Sequence, residues 1–240
     1  MALEIIAELH PQHGGDMGAI REYIRVAAQQ GADVAKFQIY DAEPLLGSDK
    51  WNYLQLSYED TATIKRWCEQ DEIEFMASVF DAERLRWCEE LGVSRYKIAS
   101  RTVAMDAPLC EAILATGKPV IASLGMWAES GLPFPDSNDV SYLFCRSDYP
   151  ALLENIPDFP VDFVHGGLAG YSDHTLGIDA CLLAIARGAR IIEKHFTLNK
   201  LAGKPTEKAH ICSMTPSELA QLRTVGGGLH RAYRLLSQRS

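Results

Sequence analysis

Short apolar runs alternate with helix-like periodic segments along the whole chain, and this alternation restricts the fold more than any other feature. Eight runs read as strands: residues 3–8, 34–39, 74–79, 95–99, 120–123, 142–145, 168–172 and 190–195. Runs so short, parted by segments of helical period, belong to a parallel sheet covered on both faces. Helix starts are marked between several of them. Asp16 caps 17–30, Ser57 with Asp60 forms a capping box for a helix to about Gln70, and Asp81 caps one to about Leu91. Asp106 starts a helix that stops at Gly117, and Thr215-Pro-Ser-Glu opens the last long one. With 240 residues, 47% of them hydrophobic, the chain fits an α/β fold, one (β/α)8 TIM barrel over residues 1–240, better than an open sheet. Two stretches break the rhythm. Residues 127–139 carry Pro133 and Pro135, which predicts a loop in place of the fifth helix. Residues 150–167, with Pro157, Pro160 and Gly166-Gly167, have room for one short helical turn. A barrel abbreviated around its fifth and sixth helices leaves apolar surface uncovered, so a homo-oligomer is expected.

A net charge of −9 and a pI near 5.3 argue against nucleic acid or an acidic membrane face as partner and favour a small metabolite. Cys68, Cys88, Cys110, Cys145, Cys181 and Cys212 form no CxxC pair and read as reduced core cysteines of a cytoplasmic protein. The start, MALEIIAE, has no basic region before a long apolar run, and no stretch approaches the roughly 18 apolar residues of a membrane helix, so an unexported chain is expected.

A barrel keeps its chemistry at the C-terminal ends of its strands. Polar residues stand there on nearly every strand: Glu8; Lys36 and Gln38; Ser78; Lys97 and Ser100; Ser123; Arg146 and Ser147; Ser172 and His174; Glu193 and His195. Period-two alternation sets Lys36 with Gln38, Ser172 with His174, and Glu193 with His195 on common faces. Lysines in a barrel lumen need an anion, either a bound phosphate or carboxylate or a lumen carboxylate such as Glu8 or Glu193. His174 and His195 close adjacent strands and form a candidate metal pair with an open coordination sphere. Glu8 stands beside it, as a ligand or as the holder of a metal-bound water, and His10 and His13 are further candidates on the loop that follows.

At these residues the chain resembles the sialic acid synthase family over nearly all of its length. The blocks that carry the resemblance are IIAELHPQHGGD, GADVAKFQIYDAE, LSYED, FMASVFD, YKIAS, TGKPVIASLGM, SDYP, GYSDHTLGIDA, GARIIEKHFTLNK and CSMTPSEL. It implies an aldol-like condensation of phosphoenolpyruvate with an N-acetylmannosamine-type sugar aldehyde, with release of phosphate by C–O cleavage. His174 and His195 fall on the family's metal-binding histidines. The ion is a divalent metal, usually manganese, with magnesium or another as alternatives. Glu8 falls on the acidic residue beside the metal-bound water and is the candidate base. Lys36, Ser78, Lys97, Ser100, Ser123 and Ser172 fall on phosphoenolpyruvate-binding positions, and Gln38 and Tyr149 on sugar-side positions.

The chain departs from the family's pattern at Gln12-His13-Gly14-Gly15, Arg101-Thr102, Leu124, Phe144, Arg146, Ser147 and Ala209, with Glu207 as a candidate substitute for the aspartate expected near Ala209. The family's C-terminal antifreeze-like domain, which brings an arginine to the sugar site, is expected to be absent. Most departures lie toward the acceptor, which predicts an altered acceptor sugar, with Arg146 as a compensating charge. Two other readings stand beside this one. One is a barrel that binds metal and phosphoenolpyruvate without turnover, in a regulatory or assembly role. The other is a metal-dependent sugar isomerase or epimerase with Glu8 and Glu193 as a proton-shuttling pair, which leaves the lumen lysines unexplained.

Overall fold

The computed structural model of the chain describes residues 2–137, 139–201 and 209–237. Helix α1 (Met17–Gln29) follows strand β1 (Glu4–Glu8) and shows how the pattern becomes structure. Its Ile20, Tyr23, Ile24 and Ala27, spaced as one helical face, are the buried positions. Asp16 caps it by accepting the Ala19 N–H at 3.0 Å. Strand β2 (Val34–Ile39) leads into a short insertion, helix α2 (Ala42–Leu46) and the 3₁₀ turn Asp49–Leu54, which the sequence pattern did not mark. Helix α3 (Tyr58–Gln70) starts on the expected Ser57/Asp60 capping box. Strand β3 (Glu74–Val79), helix α4 (Ala82–Glu90) and strand β4 (Tyr96–Ile98) come next, then helices α5 (Ser100–Met105) and α6 (Ala107–Leu114) and strand β5 (Val120–Ser123).

No helix is formed by the described residues between β5 and strand β6 (Val140–Cys145), and only the turn Leu153–Asn155 precedes strand β7 (Gly170–Asp173). The abbreviation expected on that side is therefore present, and Leu152, Leu153, Val161 and Val164 are exposed there. Helix α7 (Asp179–Ala186), strand β8 (Ile191–His195), helix α8 (Ala209–Cys212), helix α9 (Pro216–Gln221) and helix α10 (Gly227–Ser237) complete the chain. The last two are joined by a π turn at Leu222–Gly226. The Thr215/Glu218 capping box forms as expected.

The eight strands pair in parallel and in sequence order, β8 closing on β1. Register decides which side chains share a level. Glu8 lies opposite Lys36 and His195, and Ser172 opposite Glu193. Gly170 permits the β7–β8 contact, because a Cβ there would meet the Ile191 carbonyl oxygen at 1.8 Å. Ile6, Val34, Met76, Ile121, Leu143, Ala169 and Ile191 pack together as the lower plug of the lumen. The polar side chains stand two residues further along their strands, above a dry floor that keeps water from entering beneath. All six cysteines are buried and free. None of the described helices is long and apolar enough to cross a membrane.

Candidate active site

Above that plug lies a cavity of about 450 Å³ at the C-terminal ends of the strands. Glu8, Lys36, Gln38, Lys97, Ser100, Ser123, Ser147, Tyr149, Ser172, His174 and His195 all line it, together with Glu193. The alternation of the strands thus brings nearly every predicted site residue to one place. Ser78 sits just outside the lining and is tied to it through the Lys36 Nζ, which donates to Ser78 Oγ at 3.4 Å.

Arg146 departs from expectation. Strand β6 ends at Cys145, and the guanidinium turns out to Asp158 at 3.4 Å, with the side chain 37% exposed. Its charge does not reach the cavity as predicted; its backbone carbonyl serves the site instead. Of the other departures from the family pattern, Ala209 and Arg101 border the cavity, whereas Thr102 and Leu124 pack away from its lining. Glu207 lies outside the described residues.

The lumen lysines are held by carboxylates. Lys36 is ion-paired with Glu8 and stands 3.8 Å from Glu193. Lys97 is also 3.8 Å from Glu193, and its Nζ donates to the Ile98 carbonyl at 3.0 Å. Glu193 accepts from Ser172 Oγ at 2.9 Å. Burial opposes every charge here, and the balance differs by site. Burial raises the carboxyl pKa of Glu8 despite Lys36. For Glu193 the two lysines outweigh burial and hold it below its ordinary value. Glu193 and Glu8 likewise outweigh burial at Lys36 and raise it, while at Lys97 burial wins and lowers it. Lys97 is thus the more weakly satisfied cation.

The histidine pair is oriented from behind. His174 Nδ1 lies 2.6 Å from the Arg146 carbonyl, and His195 Nδ1 lies 3.2 Å from Gln12 Oε1. A carbonyl oxygen only accepts, so each Nδ1 donates, and in the neutral ring each Nε2 then keeps its lone pair, the arrangement metal-binding histidines use. Two imidazoles sharing one ion at about 2.1 Å stand with ring centres roughly 5–6 Å apart, and these two are 5.5 Å apart. Among the described residues no group of three or more His, Cys, Asp and Glu side chains is arranged to hold a metal. An ion here would have two protein ligands and an otherwise open sphere. Tyr149 lies over His174, ring centres 4.1 Å apart.

Glu8 is already engaged: one oxygen accepts the His10 N–H at 2.9 Å and the other faces Lys36. His10 and His13 bond each other rather than joining the pair. Gln12, the insertion between β2 and α3, and the His10–Tyr40 contact at 2.9 Å were not anticipated. They depend on loops distant in sequence, for which periodicity carries no signal.

Residues 23–233 match the NeuB family. The chain is 34% identical to an uncharacterized protein of Methanocaldococcus jannaschii, over 91% of this chain and 68% of that one. It is 31% identical to the N,N'-diacetyllegionaminic acid synthase of Legionella pneumophila, over 92% and 70%. Human N-acetylneuraminate-9-phosphate synthase is 29% identical, over 91% and 67%. Among solved structures, a sialic acid synthetase from Leptospira borgpetersenii superposes with a TM-score of 0.88 at 30% identity, covering 97% of this chain and 85% of that one.

Proposed function

The chain belongs to the NeuB family, and from that membership we propose that it condenses phosphoenolpyruvate with a sugar aldehyde to give a sialic-acid-like nonulosonic acid and phosphate. The observation that carries this reading is the meeting, in one cavity, of two lysines and four serine hydroxyls with two histidines. In the reaction, C3 of phosphoenolpyruvate bonds to the aldehyde carbon, the aldehyde oxygen takes a proton, water adds at C2, and the C2–O bond to phosphate breaks.

Lys36, Lys97, Ser78, Ser100, Ser123 and Ser172 hold the phosphate and carboxylate of phosphoenolpyruvate, the lysines exchanging part of their pairing with Glu8 and Glu193 for the ligand's charge. Glu8, whose carboxyl pKa burial raises and so makes a stronger base, accepts the proton of the attacking water. Gln38, Ser147 and Tyr149 meet the sugar. A divalent ion held by His174 and His195, manganese first and magnesium or another second, would supply Lewis-acid polarisation of the aldehyde. An isomerase using Glu8 and Glu193 as a proton pair is disfavoured, because Lys36 stands against both.

Phosphate release from phosphoenolpyruvate with manganese, measured across aldose acceptors, tests the reading. An altered acceptor shows as poor turnover of N-acetylmannosamine beside another aldose, and release with none of them sinks the catalytic reading. Binding alone is read by melting: millimolar phosphoenolpyruvate should raise the Tm by mass action. Lys97→Met keeps the apolar stem and removes the charge, so the shift should shrink while the unliganded fold persists. The shift should also shrink as pH rises through the lowered Lys97 pKa, since the neutral amine no longer attracts the anion. A shift unchanged by Lys97→Met at every pH would remove this lysine from the site.

A further inference from the structure

The loop that follows β6 grips His174 through its backbone, its ring nitrogen and its ring face. The Arg146 carbonyl accepts from His174 Nδ1 at 2.6 Å. The Ala151 N–H donates to the His174 carbonyl at 2.9 Å, and Ala151 pairs with Thr175 in an isolated parallel bridge. Tyr149 lies in sequence between these two anchors. Its ring sits against the His174 ring at 4.1 Å between centres, tilted by 39°. It meets the His195 ring in a T-shaped contact at 5.9 Å.

A hydrogen bond fixes one atom of an imidazole and leaves its plane free. The χ2 torsion of histidine has broad wells, so the plane is set by what the ring packs on. With Nδ1 held by the Arg146 carbonyl, His174 can still turn about that bond, and turning redirects the Nε2 lone pair. The face of Tyr149 removes this freedom. A separation of 4.1 Å is closer than the roughly 4.5–7 Å usual for aromatic pairs, so the two rings are in van der Waals contact. That face of Tyr149 is therefore occupied, and a ligand in the cavity that Tyr149 lines meets its other face, its edge or its hydroxyl. His195 is held by other means, with Gln12 Oε1 at its Nδ1 and the Met214 N–H donating to its carbonyl at 2.7 Å. Loss of the Tyr149 ring should fall on His174 first.

We propose that Tyr149 is a positioning residue for His174: its aromatic face, rather than its hydroxyl, sets the imidazole plane and so aims Nε2 toward an ion shared by the two histidines. This rests on the metal reading of the pair and adds a residue that orients one ligand. It is separable from any contact of the Tyr149 hydroxyl with the sugar, because phenylalanine keeps the face and loses the hydroxyl.

The experiment is a manganese titration followed by electron paramagnetic resonance in the wild type, Tyr149→Phe and Tyr149→Leu, with circular dichroism to verify the fold. Tyr149 is 39% exposed, so neither change opens the core. Tyr149→Leu should weaken manganese binding about tenfold or more, as loss of a partner that orients a metal ligand does. Tyr149→Phe should keep the wild-type affinity. A wild type that binds no manganese sinks the metal reading and this role with it. If the wild type binds, but Tyr149→Leu binds as tightly, or Tyr149→Phe is weakened as much as Tyr149→Leu, the positioning role alone is overturned. Proton NMR of the metal-free protein tests the contact without any ion. The carbon-bound ring protons of His174 should be displaced upfield of their unfolded-chain positions by the Tyr149 ring current, in the wild type and in Tyr149→Phe, and should return in Tyr149→Leu. No upfield displacement in the wild type, a result that needs no variant to fold, refutes the stacking and the role built on it.

Discussion

Replacing either His174 or His195 by alanine should abolish tight manganese binding while leaving a folded barrel. Both side chains project from strand ends into the cavity rather than into the packed layer between barrel and helices. Their loss removes ligands without opening a hole in the core. Because the described residues offer no third side chain to complete a cluster, one remaining imidazole would hold the ion weakly. The loss should exceed the roughly 10- to 100-fold typical of changing an outer-shell partner. Gln12→Leu provides that smaller step: it leaves both histidines in place and removes the acceptor that orients His195 Nδ1. Manganese affinity by electron paramagnetic resonance, with melting followed by circular dichroism, separates the cases. Unfolding of the alanine variants would return the histidines to a structural role, and unchanged manganese binding would move the ion elsewhere.

The residues that sequence located and those it missed divide along a physical line. Most strands were legible because nearly all of their residues are buried, so they show as short, largely apolar runs broken by a few polar positions. The 34–39, 74–79 and 120–123 runs match the strands to the residue. Capped helices were legible because Ser57 with Asp60 and Thr215 with Glu218 act within one turn of chain. Helix α2 was missed: it is five residues long with Pro44 inside it, and it is held by packing of the insertion under Tyr40 rather than by its own propensity. Helix α5 was missed because Ser100–Met105 follows directly on β4 with no side-chain cap.

In the site, period-two alternation was enough to place Glu193 beside His195 and Lys36 below Gln38. It could not show that Lys36 is ion-paired with Glu8, that Gln12 reaches back to His195, or that Arg146 leaves the lumen where β6 ends. Those depend on loop paths and on the competition between burial and pairing, neither of which is periodic.

Lys194→Met should cost the protein about 3–5 kcal/mol, the usual penalty for stranding one partner of a buried ion pair. Lys194 and Asp173 lie directly opposite each other on β8 and β7, and both side chains are 0% exposed. Lys194 Nζ donates to Asp173 Oδ2 at 2.6 Å and to the Thr175 carbonyl at 2.7 Å, while Asp173 also accepts from the Thr175 N–H and from the Cys181 thiol of α7. Burial opposes both charges, yet their attraction outweighs it, holding Asp173 below the usual carboxylate range and Lys194 above the usual lysine range. Removing the ammonium leaves a carboxylate in a dry wall between barrel and helix, where it must take up a proton or open the packing. For a chain of this size the melting point should fall by roughly 2–4 °C per kcal/mol. The pair also alternates with the two histidines, Asp173 preceding His174 and Lys194 preceding His195, so it fixes the spacing of the strand ends that carry them. Manganese affinity should therefore drop along with stability. The double variant Asp173→Asn with Lys194→Met removes both charges and should be less destabilised than Lys194→Met alone, a non-additivity that a simple loss of packing would not give. A double variant as unstable as the sum of the two single changes would show that the pair contributes volume rather than charge.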